Sequence, residues 1–427
     1  MKILYLTGGA GQMYCGSCLR DNALATELIA RGHQVTLLPV YTPTLTDETN
    51  VSYDKVFFGG ISVYLEQYVP PFRSSPKWLD RLWDSKPLLD LASRRSISTS
   101  PKMLGEMTVS MLKGIDGFQH KEISKLLEWV KHEDRPDVIS LPYTLLLGLA
   151  KPMKEVLGKP ICCTLQGEDL FLEGLHEPYR SESKRLIQTQ LDDVDAFISV
   201  SEYYARFMPG YLGIPENKIR VVPLGINFAG FDKKEHSKNK IFTVGYFARV
   251  APEKGLHVLA DAYCRFRENN SAVNARLEVA GYLAPEHHKY LADIERRITD
   301  AGFGNEFKYH GVVDREHKIS FLQSIDILSV PATYDEPKGI FLLESLGCGV
   351  PVIQPSRGGF TEVVEKTGGG LLVEPDDVDS LANGILHLAT HPEIRKEYGE
   401  KGFSNVRKYY SVARMADSAL EVYKEIS

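Results

Sequence analysis

Short apolar runs alternate with longer stretches of helical spacing along most of this chain, and that alternation restricts the fold more than any other feature. Residues 3–6 read as a strand and Gly8-Gly-Ala-Gly11 begins a glycine-rich loop. Leu24, Leu28 and Ile29 then give a helix one apolar face before Gly32 ends it. The segment Gln34-Val-Thr-Leu-Leu-Pro-Val reads as a second strand, apolar enough to be buried on both faces as strands of parallel sheets are. Runs of the same kind return at residues 137–141, 160–165, 196–200 and 219–223. Strands separated by helices cannot pair as hairpins, so a doubly wound α/β class with parallel sheets follows.

A chain of 427 residues exceeds what one core usually supports, which predicts two domains. The pattern breaks at the charged run 232–240, read as an interdomain linker or exposed loop, and a second series follows at residues 241–246, 277–281, 307–311, 325–330 and 350–353. Each half resembles a Rossmann-like domain, and a cleft between the halves is the expected site. The expected division is residues 1–223, residues 224–407, and a final helical segment 408–427 that crosses back to the first domain.

A net charge of -6 argues against a nucleic-acid partner, which calls for clustered Lys and Arg. No run of eighteen apolar residues occurs, and the opening Lys2-Ile-Leu-Tyr-Leu-Thr-Gly is a strand rather than a signal-peptide core, so a cytoplasmic location is expected. Six cysteines in so long a chain form no disulfide framework, and reduced thiols are the default. Aromatic residues alternate with Arg and Lys through residues 64–102, a composition suited to anionic headgroups at the inner face of a membrane, to an acceptor lid, or to plain packing.

Two segments carry candidate chemistry. In Glu336-Pro-Lys-Gly-Ile-Phe-Leu-Leu-Glu344, two carboxylates flank a turn that opens into an apolar helix. Pro337 suits a first helical position, Gly339 permits close approach of a ligand, and the orphan N–H groups behind it favour an anion. With a helix starting near Lys338, Glu344 lies roughly 9 Å from the turn, a span a nucleotide diphosphate sugar bridges. In Arg249-Val-Ala-Pro-Glu-Lys254-Gly255, two cations follow directly on the first strand of the second half. Strand ends of parallel sheets face the ligand crevice, so these cations are placed to clamp a diphosphate.

Arg249-x4-Lys254-Gly255, Glu336-x7-Glu344, Gly347-Cys-Gly-Val-Pro-Val-Ile and Gly358-Gly-Phe-Thr-Glu362, in that order, resemble the retaining family 4 glycosyltransferases, which have the GT-B architecture of two Rossmann-like domains. The resemblance covers nearly the whole chain. It implies transfer of a sugar from a nucleotide diphosphate sugar to an acceptor with retention of configuration, without a metal or other cofactor. It also implies roles for single residues. Arg249 and Lys254 would bind the donor diphosphate, the Gly339 and Ile340 backbone the phosphate or sugar, Glu344 the ribose and Glu336 the sugar. Gly16 falls where the family has the second glycine of the pair opening its first helix, near the reacting phosphate.

Two positions depart from the family pattern. Gln166, in Cys163-Thr-Leu-Gln166-Gly-Glu168-Asp169, stands where the family often has a His, and Lys338 replaces a common aromatic residue. Gln is no general base, but it donates and accepts hydrogen bonds, which suffices when the departing phosphate takes the acceptor proton. Glu336 and Gln166 are therefore the expected catalytic residues. The alternatives are a catalytically silent nucleotide-sugar-binding or partner protein, which the missing His favours, and a sugar-nucleotide epimerase or a phosphorylase of the same architecture.

Other signals read more plainly. Cys15-Gly-Ser-Cys18 is foremost a tight glycine turn at a loop-to-helix junction, with redox chemistry the lesser reading. Gly8-Gly-Ala-Gly11 does not fit a dinucleotide fingerprint. Asp193-Val-Asp195 and Asp377-Val-Asp379 read as turns or helix starts before metal ligands.

Overall fold

The computed structural model of the protein describes residues 1–9, 15–53, 56–58, 66–68, 101–233 and 241–427. Most of the basic aromatic segment 64–102, part of the first glycine-rich loop and residues 234–240 of the charged run lie outside these.

The described chain divides into two compact units. The first comprises Met1–Val200, Tyr204–Val222 and Ala416–Ser427, the second Ser201–Tyr203 and Pro223–Met415. The units part between Val222 and Pro223, ahead of the charged run 232–240 that reads as an interdomain linker or exposed loop. Leu224, Ile226 and Phe231 explain this, since all three are buried in the core of the second unit.

In the first unit, β1 (Lys2–Thr7), β2 (Gln34–Pro39), β3 (Val138–Leu141), β4 (Ile161–Leu165), β5 (Ala196–Ser199) and β6 (Ile219–Val221) form one sheet in the order β2-β1-β3-β4-β5-β6, with every pairing parallel. Central β3 and β4 are buried throughout, as their unbroken apolar sequences require. The strand β2 differs from expectation. It ends the described sheet, its first residue Gln34 is exposed, and only Leu37, Leu38 and Pro39 are buried. Ile29 also departs from the expected apolar face: Leu24 and Leu28 are buried, but Ile29 is 42% exposed. Of the last helix, Val412–Ile426, the residues from Ala416 onward belong to the first unit, tied by ion pairs of Asp417 with Arg31 and of Glu425 with Arg220.

In the second unit, β7 (Phe242–Phe247), β8 (Ala275–Ala280), β9 (Phe307–Tyr309), β10 (Ile327–Leu328), β11 (Val352–Pro355) and β12 (Gly370–Val373) pair in parallel in the order β12-β11-β10-β7-β8-β9. The chain builds outward from β7 through β8 to β9, then returns to the other side of β7 with β10. The connections leaving β7 and β10 therefore diverge to opposite faces, which opens a crevice at their carboxyl ends. In the first unit the same reversal falls between β1 and β3. No described helix is long and apolar enough to cross a membrane.

Candidate functional site

The reversal in the second sheet brings together the two segments that the sequence singles out. After β7 the chain runs through Arg249 into a single 3-10 turn, Pro252–Lys254. Gly255 follows with φ +72°, and a Cβ there would lie 1.8 Å from the Pro331 carbonyl oxygen in the connection after β10. Only glycine permits that approach. The Thr333 N–H donates to the Glu253 carbonyl at 3.0 Å, joining the same two connections by backbone.

Lys254, Tyr334 and Glu336 converge there. The Lys254 Nζ donates to the Tyr334 hydroxyl at 2.6 Å and forms an ion pair with the Glu336 carboxylate, to which the Tyr334 hydroxyl also donates. Lys254 and Glu336 are both buried, so neither is the solvated surface charge that its sequence alone allows. Burial works to raise the Glu336 carboxyl, but the Lys254 ammonium, the hydrogen bonds from Lys254 and Tyr334, and the charge of Lys338 outweigh it and hold the group at about 2. Glu336 is thus a carboxylate at neutral pH. Burial foremost, and then Glu336, push the Tyr334 phenol well above its ordinary range, so it stays a donor. Arg249 lies at the mouth of this cluster, its side chain 44% exposed and 3.2 Å from Glu253.

The turn after Glu336 corrects one expectation. The helix begins at Ile340, not at Lys338, and Pro337 belongs to the preceding turn. Gly339 is the residue before the helix, with φ +71°, and a Cβ there would meet a Phe360 ring carbon at 2.9 Å. Its left-handed backbone turns the chain into the helix Ile340–Gly347, whose first amides have no side-chain cap. That helix is apolar nearly all round, which accounts for its burial from Phe341 to Gly347. Glu344 is carried inside with it. There the Lys318 ammonium meets its carboxylate at 2.6 Å, with both side chains 6% exposed.

A third connection completes the arrangement. After β11, Gly358 adopts φ +54°, and a Cβ on it would fall 2.5 Å from the Glu336 carbonyl oxygen. The Gly359 N–H donates to that same oxygen at 2.7 Å, so Glu336 is fixed through its backbone as well as its carboxylate. Arg357 beside it pairs with Asp376 at 2.6 Å.

In the first unit, Gly16 opens the helix Gly16–Ala30 after β1, with Cys15 as the preceding cap residue. Gly8, at the end of β1, packs so closely that a Cβ would lie 2.7 Å from the Tyr143 hydroxyl. Gln166 follows β4 and is buried; its Nε2 donates to the Pro142 carbonyl after β3 at 2.6 Å. Its own N–H donates to Glu168 at 2.7 Å, and the Thr144 hydroxyl donates to the other oxygen of that carboxylate at 3.2 Å. Burial raises the Glu168 carboxyl despite these donors.

Arg249, Lys254, Glu336, Gly339, Ile340 and Glu344 thus stand in the second unit, and Gly16 and Gln166 in the first. Sequence reading missed Tyr334, Lys318 and Glu168. Tyr334 meets Glu336 through a tight turn, in which the Glu336 N–H donates to the Tyr334 carbonyl at 3.0 Å, and no sequence spacing announces that. Lys318 had no signal either, since its link to Glu344 exists only through tertiary packing. Among the aspartate pairs, Asp377 caps a helix by accepting from the Ser380 N–H, and Asp195 pairs with Lys154 while accepting from the Ile161 N–H.

Residues 229–405 match the family model for glycosyl transferases group 1, and residues 114–229 match that for glycosyltransferase family 4. An uncharacterized glycosyltransferase of Methanocaldococcus jannaschii is 27% identical over 239 residues, 53% of this chain and 59% of that protein. A GDP-mannose-dependent phosphatidylinositol monomannoside mannosyltransferase of Corynebacterium glutamicum is 27% identical over 63% of this chain and 70% of its own length. Among solved structures, HepE of Anabaena in complex with UDP and glucose superposes with a TM-score of 0.68 at 18% identity, covering 99% of both chains. Sucrose-phosphate synthase of Thermosynechococcus elongatus superposes with a TM-score of 0.73 at 16% identity, covering 100% of this chain and 98% of its own. At such identities these likenesses establish the fold.

Proposed function

We propose that this chain, whose parts match two glycosyltransferase family models and which shares the GT-B fold, transfers a sugar from a nucleotide diphosphate sugar to an acceptor with retention of anomeric configuration. The observation that carries this reading is the buried contact of Lys254 with Glu336 at the point where the second sheet reverses, with Arg249 at its mouth and the uncapped helix Ile340–Gly347 behind it. Two cations and a helix start without a side-chain cap match a diphosphate in charge and in donors. The UDP-bound relative of the same fold supports a nucleotide as the ligand.

Each group has a role in this reading. Arg249 and Lys254 neutralise the diphosphate, and the charge that grows on it as the sugar departs. The Gly339 and Ile340 backbone holds phosphate or sugar, and Glu344 accepts hydrogen bonds from the ribose. Glu336, ionised at neutral pH, accepts from sugar hydroxyls and is no proton donor. The leaving phosphate takes the acceptor proton, as a front-face retaining mechanism requires. Gly16 gives the donor phosphate close backbone approach. Gln166 orients a reacting group by hydrogen bonding. The site of action is the cytoplasm, with residues 64–102 the candidate contact to the inner face of the membrane.

The test is thermal melting of the protein with UDP, GDP and ADP sugars. A ligand that binds only the folded state at about 100 times its Kd adds about 2.7 kcal/mol, a clear rise in melting temperature. One nucleotide class is expected to raise it in the wild type and not in Lys254→Met. No rise with any of the three classes would sink the donor reading.

A further inference from the structure

Cys15 and Cys18 belong to no part of the proposed transfer, yet their placement is specific. Cys15 is the residue before the first turn of the helix Gly16–Ala30, and Cys18 lies within that turn. Cys15 is half-buried and Cys18 is buried. Their thiols meet: the Cys18 S–H donates to the Cys15 sulfur, the largest of the influences that raise the Cys18 thiol, ahead of its burial. A sulfur at a helix start, accepting a hydrogen bond and reachable from solvent, is the attacking atom of a dithiol, while a buried partner three residues on is the resolving one. The other four cysteines offer no such pair. Cys162, Cys163 and Cys348 are buried, and Cys264 is half-buried with its thiol pushed up to about 11, chiefly by burial.

We propose that Cys15 and Cys18 form a dithiol site that exchanges with low-molecular-weight disulfides, and that its oxidation weakens donor binding by distorting the helix start that contains Gly16. The thiolate of Cys15 attacks one sulfur of the small disulfide, forming a mixed disulfide and expelling one thiolate. The Cys18 thiol then gives up its proton, and its sulfur attacks the Cys15 sulfur. This closes the Cys15–Cys18 bond and expels the second small thiolate. Both leaving thiolates become thiols, so two electrons and two protons pass from the protein to the small disulfide.

Geometry supplies the consequence. Cys15 is extended (φ -114°, ψ 129°) before the helix, and a disulfide would fix its Cβ roughly 3.5–4.5 Å from that of Cys18. Closing the bond therefore constrains the start of the helix, and Gly16 and Ser17 lie inside the loop so formed. The effect on the donor rests on the reading of Gly16 as a phosphate contact, while formation of the disulfide does not.

The experiment treats the full chain carrying Cys264→Ser with glutathione disulfide and maps its tryptic peptides. Residues 3–20 form one peptide that holds both cysteines. The expected result is a loss of two hydrogens from that peptide, reversed by dithiothreitol, and a glutathionyl adduct on Cys15 that persists when Cys18→Ser is added. Nucleotide-sugar affinity should fall by roughly tenfold on oxidation, since small misplacements of a binding element carry losses of that size or more. Neither Cys15→Ser nor Cys18→Ser should form the internal disulfide. Failure of the peptide to lose its hydrogens would overturn the dithiol assignment, and unchanged affinity in the oxidised protein would overturn its effect on the donor. Reduced protein that binds no nucleotide sugar defeats the proposed function instead, and with it the donor effect, while the peptide map still decides the dithiol.

Discussion

The Lys318 ammonium lies 2.6 Å from the Glu344 carboxylate inside the second unit, with both side chains 6% exposed. Glu344 is buried because the helix carrying it is apolar on almost every side, so its charge needs a cation from another element. The helix Arg315–Ser324 supplies one. Removing one member of a buried pair leaves the other charge poorly compensated, typically at a cost of about 3 kcal/mol or more. Lys318→Met is therefore expected to lower the melting temperature sharply. The double variant Lys318→Met, Glu344→Leu should recover most of that loss and still fail to bind nucleotide sugar. Recovered stability together with retained affinity would remove Glu344 from the donor site.

Glu336 gives the protein a specific acid sensitivity. Its carboxyl is held at about 2, below the 4.5 of an ordinary Glu, once Lys254, Tyr334 and Lys338 outweigh its burial. A group with a depressed folded value stabilises above its unfolded value and loses that contribution as pH falls through the interval to the folded one. The contribution is complete above about pH 4.5 and disappears toward pH 2, on the order of 3 kcal/mol in all. Urea unfolding from pH 6 down to pH 2.5 should show a steeper loss for wild type than for Glu336→Gln. Parallel curves would mean that the pair does not hold the carboxyl down.

The glycines of the site predict a separation of geometry from chemistry. Gly358 makes no side-chain contact with any ligand, yet a Cβ there would press on the Glu336 carbonyl oxygen at 2.5 Å, from a backbone of φ +54°. Backbone cannot yield as a side chain does. Gly358→Ala is expected to destabilise the fold by about 1–3 kcal/mol and to reduce transfer further than the fraction of unfolded protein explains. Circular dichroism and turnover measured on the same sample would distinguish the two effects. Loss of activity that only tracks loss of folded protein would argue against a positioning role for this turn.

Much of this arrangement is legible in the sequence, for a local reason. Runs such as Ile161–Leu165 and Val352–Pro355 are too apolar to tolerate water on either face, which places them inside parallel sheets whatever surrounds them. The meeting of Lys254 with Glu336 is legible because strand ends in such sheets converge, so position along the chain predicts position in space. What escaped depends on contacts that no spacing records. The Lys318 partner of Glu344 sits 26 residues away on a helix with no distinctive sequence. The helix start at Ile340 was misplaced because Pro337 suggested a first helical position, whereas the left-handed Gly339 sets the boundary. The exposure of Ile29 escaped because helical periodicity assigns a face without saying how much of it is covered.

Gln166 provides the sharpest test of the proposed chemistry. It stands where the family that the chain resembles often has a His, and its Nε2 donates to the Pro142 carbonyl at 2.6 Å, which fixes the orientation of the amide. An amide so held can present its oxygen as an acceptor but cannot take a proton near neutral pH. If the departing phosphate is the base, Gln166→Ala should reduce turnover by roughly tenfold to a hundredfold while changing donor affinity little, the pattern of an interaction made mainly in the transition state. Gln166→His would then restore no more activity than its packing allows, and it would add no ionisation near pH 6.5 to the rate profile. A new limb in that profile, with turnover raised above wild type, would show that the site can use a side-chain base and would count against proton transfer to the phosphate.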